Sequence, residues 1–260
     1  MSLLSRLFPY KMLSNKLIPS LQAARGNMEA PFPSDFTEQE MALINEVQSK
    51  TMTSPERLVS LIRSVDHLNR QGTEGDIVEC GVWKGGSMML VAKRLLQLGD
   101  TKRHLFLFDT FEGMSEPDER DVSAVDNRTA KDLLSESDRL QGDNVWCYSS
   151  LDEVQGNLRS TGYSMNQISF IKGKVEDTLP EESIKKIALL RLDTDWYEST
   201  LHELETLYDK VVPGGIVIID DYGHWSGCKK AVDEFIAKRK LNVFLNRIDY
   251  TARSFVKSNL

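Results

Sequence analysis

Short, nearly unbroken apolar runs alternate with amphipathic stretches from residue 77 onward. Ile77–Cys80, HLFLFD at 104–109, ISFIK at 168–172, IALLRLD at 187–193 and IVIIDD at 216–221 are apolar at successive positions, as strands buried on both faces require. Between and after them, Ser87–Leu98, Ser199–Tyr208 and Lys229–Lys240 read as helices. Asn242–Arg247 and Ser254–Lys257 are expected to close the sheet as an antiparallel pair. The alternation predicts an α/β fold: a Rossmann-like, doubly wound, mostly parallel seven-stranded sheet with helices on both faces.

The chain before residue 71 follows a helical pattern instead. Asp35 or Thr37 can cap a helix over 38–49, and Ser54-Pro55-Glu56 supplies an N-cap, a first-turn proline and an acid for a helix to about Asn69. We therefore expect a helical arm or lid over 1–70 and a main domain over 71–260. An active-site insertion or mobile lid interrupts that domain at about 110–165, where Pro117 sits among Glu116, Asp118, Glu119, Asp121 and Asp126. Within it, Ser150-Leu151-Asp152-Glu153 has the form of a capping box opening a helix to about Arg159.

Composition narrows the function. A length of 260 residues and 40% apolar content suit one large domain with a full core. A net charge of −7 argues against a nucleic-acid partner. Cys80, Cys147 and Cys228 are odd in number and far apart, so neither a disulfide framework nor a zinc site is expected, and a cytoplasmic, reducing setting is. No apolar run reaches the roughly 18 residues of a membrane span. Residues 1–28 carry Arg6, Lys11, Lys16 and Arg25 with no acid. That bias suits a transit peptide, a membrane-surface helix, or an arm packed on its own or a neighbouring subunit; Pro9 and Pro19 interrupt a long helix and favour the arm. A homo-oligomer is expected.

Three constellations carry candidate chemistry. In Glu79-Cys80-Gly81-Val82-Trp83-Lys84-Gly85-Gly86-Ser87 a strand ends and a helix begins. Glycines there permit tight turning, and the helix N-terminus offers free N–H groups to an anion. The spacing is not GxGxxG, which disfavours a dinucleotide. S-adenosylmethionine (SAM) asks less, because its anion is a carboxylate, and its sulfonium suits nearby carboxylates or the face of Trp83. A ligand-free turn is the bland alternative. The second constellation is Asp109, ending the next strand 28 residues after Gly81, where an acid can accept both hydroxyls of a ribose.

The third is acidic. Asp193 ends one apolar strand and Asp220-Asp221 ends the next, so the carboxylates should converge on one sheet edge. Converging acids with no cation nearby repel, and a hard divalent ion (Mg²⁺, or Mn²⁺ or Ca²⁺) resolves that conflict. Asp195 shares the face of Asp193 if the strand continues. The competing reading has Asp221 or His224 capping the following helix. His224, in Tyr222-Gly223-His224-Trp225, is either a base or substrate contact or merely solvated. Gly173, Asp177 and Thr178 form a turn at another strand end, suited to an adenine ring or to no ligand.

ECGVWKGGS, FLFDTFEGM, KGKVEDTLP, LRLDTDWYEST and GGIVIIDDYGHWSGCKKAVDEF, in this order, resemble the macrocin O-methyltransferase family over roughly residues 50–245. The resemblance implies methylation of a sugar hydroxyl on an antibiotic-type small molecule. It places SAM at Glu79, Gly81 and the neighbouring turn residues Trp83, Gly85 and Ser87, with Asp109 on the ribose. It implies Mg²⁺ on Asp193, Asp220 and Asp221, and puts Thr51 to Ser54 near the methionine end of SAM. The fold is also similar to catechol O-methyltransferases, whose lysine base has no counterpart here, since Trp196 stands in that neighbourhood. Asp193, His224 or a group from the insertion is left as the catalytic base. A DxD-type phosphohydrolase and a non-catalytic SAM-binding protein are the alternatives.

Overall fold

The computed structural model describes residues 32–140 and 144–258, so the basic segment 1–28 lies outside the described residues. Helix α1 (Glu38–Val47) opens with a full capping box: the Thr37 hydroxyl accepts the Glu40 N–H, and the Glu40 carboxylate accepts the Thr37 N–H. Of the two caps expected there, Thr37 does the capping, while Asp35 pairs with Arg63. Helix α2 (Pro55–Gln71) starts on Ser54, whose hydroxyl accepts the Arg57 N–H, and stops at Gly72 in the left-handed region.

The sheet follows in chain order. Strand β1 (Asp76–Cys80) leads into α3 (Gly86–Leu98), and β2 (Leu105–Asp109) is followed by the two helices of the insertion, α4 (Ala130–Ser135) and α5 (Leu151–Arg159). Then come β3 (Ile168–Lys172), the one-turn α6 (Val175–Thr178), β4 (Ile187–Leu192), α7 (Tyr197–Leu207), β5 (Val211–Ile219), α8 (Ser226–Arg239), β6 (Asn246–Arg247) and β7 (Arg253–Val256). The strand order is β3-β2-β1-β4-β5-β7-β6, with β1 to β5 parallel and β7 antiparallel to both its neighbours. The order reverses between β1 and β4, and ligands of open α/β sheets bind outside the strand ends at such a point.

Both faces are buried. One core joins α1, α2, α3 and α5 to Ile77, Leu105, Leu107, Leu189 and Ile218. The other joins α4, α7 and α8 to Val78, Phe106, Phe108, Leu190, Leu192, Val217 and Ile219. Helices α1 and α2 therefore share the sheet's own core. Among the described residues, no helix is long and apolar enough to cross a membrane.

Two elements differ from expectation. Residues 242–245 do not extend β6, because Val243 and Leu245 pack on the second core instead of in the ladder. The insertion, expected as a lid, is clamped at its first half. The buried Asp121 carboxylate accepts the N–H groups of Asp118 and Tyr197, so it caps α7, where Trp196 provides no side-chain cap. Backbone bonds from Ala124 to the His224 carbonyl and from Ser226 to the Val122 carbonyl fasten the same stretch to the loop before α8.

Candidate active site

Strands β1, β4 and β5 place Glu79, Arg191 and Ile218 side by side in register, with Asp193 and Asp220 two residues beyond on the same face. Arg191 is 2% exposed and works as a three-way fork. Its Nη1 donates to Glu79 Oε1 and to Asp193 Oδ2, both at 2.7 Å, and its Nη2 donates to Asp220 Oδ1 at 2.7 Å and to the Thr53 hydroxyl at 3.2 Å. Arg57, from the first turns of α2, pairs with the other Asp220 oxygen and reaches Asp249 at 3.1 Å. Asp249 in turn accepts the Ser54 hydroxyl and the N–H groups of Thr251 and Ala252. The Ser54 N-cap, the β5 tip and the β6–β7 turn are thus joined by buried charge.

This corrects one premise of the sequence reading. The acids at the strand tips do have cations nearby, and the two arginines absorb Asp220 specifically. Burial drives the Asp220 carboxyl upward, but Arg191 and Arg57 outweigh it and hold it below the usual aspartate range. The group of carboxylates left to converge is Asp193, Asp195 and Asp221, whose oxygens lie within 4.8 Å of one another. Asp195 belongs to this group, and Asp220 stands outside it on its two arginines. Asp195 holds a left-handed backbone, φ 71°, which turns the chain back at the β4 tip. Burial first, then the neighbouring acids, pushes both Asp193 and Asp195 well up. Neither Asp221 nor His224 caps α8, whose N-cap residue Trp225 makes no side-chain cap bond.

The turn after β1 is built from its glycines inward. Gly81 has φ +84°, and a Cβ there would run into the Asp193 backbone, so the β1 and β4 tips can lie this close only at glycine. Gly85, also at φ +84°, is the N-cap of α3, and Ser87 lies buried in the helix's first turn. Asp109 stitches this turn to the next: its carboxylate accepts the N–H groups of Val82 and Trp83 on one oxygen and of Phe111 on the other. Lys84 lies over the Trp83 ring, 4.4 Å from its centroid. Glu79 is fully buried, and its second oxygen has no hydrogen-bond partner among the described residues. Burial pushes its carboxyl up to about 7 against the pull of Arg191.

The remaining expected residues gather less tightly. Thr51 accepts the Thr53 N–H and stands beside the arginine network. Gly173 donates to the Asp109 carbonyl and so shares the β2 tip, while Asp177 is exposed on α6. His224 is 7% exposed, not solvated. Its ring stands edge-on to Trp225 at 4.8 Å and to Tyr250 at 6.1 Å. Burial lowers its pKa despite Asp221, so the imidazole is neutral at pH 7.

Sequence reasoning missed Arg57, Arg191 and Asp249, and left Asp195 undecided. A lone arginine inside IALLRLD was a readable signal, since a charge within a strand buried on both faces needs a partner. Arg57 and Asp249 carried no such mark.

The macrocin-O-methyltransferase (TylF) profile matches residues 5–257. The chain belongs to this family. Relatives similar to it include the 8-demethyl-8-(2,3-dimethoxy-alpha-L-rhamnosyl)-tetracenomycin-C 4'-O-methyltransferase of Streptomyces olivaceus, 36% identical over 77% of this chain and 73% of the relative. The demethyldecarbamoylnovobiocin O-methyltransferase of Streptomyces niveus is 37% identical over 72% of this chain and 68% of that one. Among solved structures, the O-methyltransferase NovP superposes with a TM-score of 0.69 at 33% identity, covering 81% of this chain and 83% of its own. The chain is a SAM-dependent O-methyltransferase by family, and the phosphohydrolase and non-catalytic alternatives are set aside.

Proposed function

We propose that this enzyme methylates a hydroxyl of a sugar carried by a small natural product, with a divalent cation held by Asp193, Asp195 and Asp221. The observation that carries the metal half is the convergence of those three carboxylates at the switch point, beside an Asp220 already neutralised by arginine. Oxygen-only donors suit a hard cation such as Mg²⁺. When bound, such an ion supplies Lewis acidity that lowers the pKa of an alcohol and fixes its direction. The sugar half rests on the relatives, whose names include a rhamnosyl compound and novobiocin.

The protein's own residues divide the rest of the work. Glu79 has a buried oxygen to spare and fits the ammonium of SAM, the donor of an electrophilic methyl group. The α3 N-terminus at Gly85 to Ser87 faces the donor's carboxylate. Asp109 meets the ribose by exchanging a turn N–H for a hydroxyl, and the β3–α6 turn at Gly173 and Asp177 borders the adenine. His224 is neutral, walled by Trp225 and Tyr250, and feels the charge of Asp221, which makes it a stronger base candidate than Asp193, which is occupied by Arg191.

The test is methyl transfer from SAM to glycosylated acceptors bearing free sugar hydroxyls, followed as a mass gain, before and after EDTA. Transfer to the sugar that stops in EDTA and returns with Mg²⁺ is expected. Undiminished transfer in EDTA overturns the metal role, and methylation confined to the aglycone overturns the sugar.

A further inference from the structure

Arg191 connects two sites that the proposed function keeps separate. One Nη1 nitrogen is shared at 2.7 Å between Glu79, on the donor side, and Asp193, on the carboxylate side. Side chains in this network are almost wholly withdrawn from water: Arg191 3%, Glu79 0% and Asp220 3% exposed, with Asp193 the partial exception at 26%. Solvent cannot screen a redistribution of charge in such a place, so a change at one partner is felt by the other.

From this geometry we infer that Arg191 is a positioning residue that couples donor binding to cation binding, and that the coupling is antagonistic. A cation that draws the Asp193 oxygen away leaves Nη1 to Glu79 alone. Glu79 is then more fully neutralised, and its attraction for an ammonium falls. In the other direction, an ammonium on Glu79 releases Nη1 toward Asp193, which then holds a cation less well. Linkage requires the two factors to be equal. The second nitrogen, Nη2, stays on Asp220 and Thr53 throughout, which fixes the fork while its first prong is shared.

The lattice of partners explains why arginine is required. A lysine keeps the charge but presents a single point, and it cannot span three carboxylates on three strands. The inference rests on the reading that SAM meets Glu79 and a divalent cation meets Asp193.

The experiment is calorimetric titration of the full-length protein with SAM, with and without saturating MgCl₂, and with MgCl₂ with and without saturating SAM, in the absence of an acceptor. In the wild type, each ligand is expected to weaken the other by about fivefold, with matching factors. In Arg191→Lys the mutual effect should fall below about twofold while both ligands still bind, because the charge remains but the shared prong is gone. Glu79→Gln provides the second variant if Arg191→Lys is poorly folded by thermal melting. It should weaken SAM binding and remove the effect of Mg²⁺ on what binding remains. Wild-type protein that binds both ligands independently overturns the coupling and leaves the proposed function standing. Coupling that persists undiminished in Arg191→Lys overturns the role of the fork. A wild-type protein that binds SAM but no Mg²⁺ overturns both the coupling and the proposed metal site.

Discussion

Two groups of acids stand at the same sheet edge and are handled in opposite ways. Glu79, Asp220 and Asp249 are each bound by an arginine and are almost wholly buried. Asp195 and Asp221 have no arginine or lysine partner among the described residues and are only partly buried, and Asp193 belongs to both groups. The first arrangement holds three segments together and is costly to break. The second stores repulsion and is costly to keep. Folding favours the first kind and works against the second, which is why the second reads as a site for a ligand and the first as its support.

The sharpest way to break this contrast is to remove the shared cation. Arg191→Leu leaves Glu79 and Asp193 without compensation and Asp220 with Arg57 alone, and should cost about 3–5 kcal/mol of stability, measured by chemical denaturation. Next come Asp195→Ala and Asp221→Ala. Each should slow methyl transfer by roughly a hundredfold or more, about 2.7 kcal/mol of barrier, while the melting temperature holds or rises as repulsion is relieved. Should either of them instead unfold the protein, the division between support and site is wrong. The smallest effect tests the hinge between the groups. The Glu79 carboxyl lies near 7 in the free protein, and an ammonium requires it ionised. SAM affinity should therefore fall as pH drops below about 7, by up to about tenfold per unit, and Glu79→Gln should flatten that profile. The sign for stability runs the other way: with a folded pKa above the unfolded value, this group favours the folded state more as pH falls from 7 toward 4.5.

Much of the fold was legible because parallel strands buried on both faces must be continuously apolar, and each such run in this chain became a strand. The edge of the sheet was less so. Val243 and Leu245 alternate as a strand would, yet they cover the second core, and alternation alone does not say which apolar surface a segment meets. At the site, Asp193 and Asp221 could be placed from strand ends because position along a strand fixes position in space. Whether a carboxylate faces a cation depends on residues far away in sequence. Arg57 reaches Asp220 from 163 residues away, which no local pattern records. The capping box at Ser150 was half right: its hydroxyl accepts the Glu153 N–H, but the Glu153 carboxylate takes the Ser149 hydroxyl.

The bond between Ser54 and Asp249 spans 195 residues, and it has a consequence for the order in which the molecule is made. As the chain leaves the ribosome, α2 emerges early with Arg57, and the β6–β7 turn emerges late. Until that turn arrives, Arg57 lacks Asp249 and the N-cap of α2 lacks its anchor. The apolar layers of the sheet can assemble beforehand, but the arginine-bridged edge is completed only once that turn is free. Pulsed proteolysis of ribosome-held chains lengthened by a C-terminal linker should find the Thr51–Ser54 segment cleavable until Asp249 has cleared the exit tunnel, and protection at earlier lengths would refute that order.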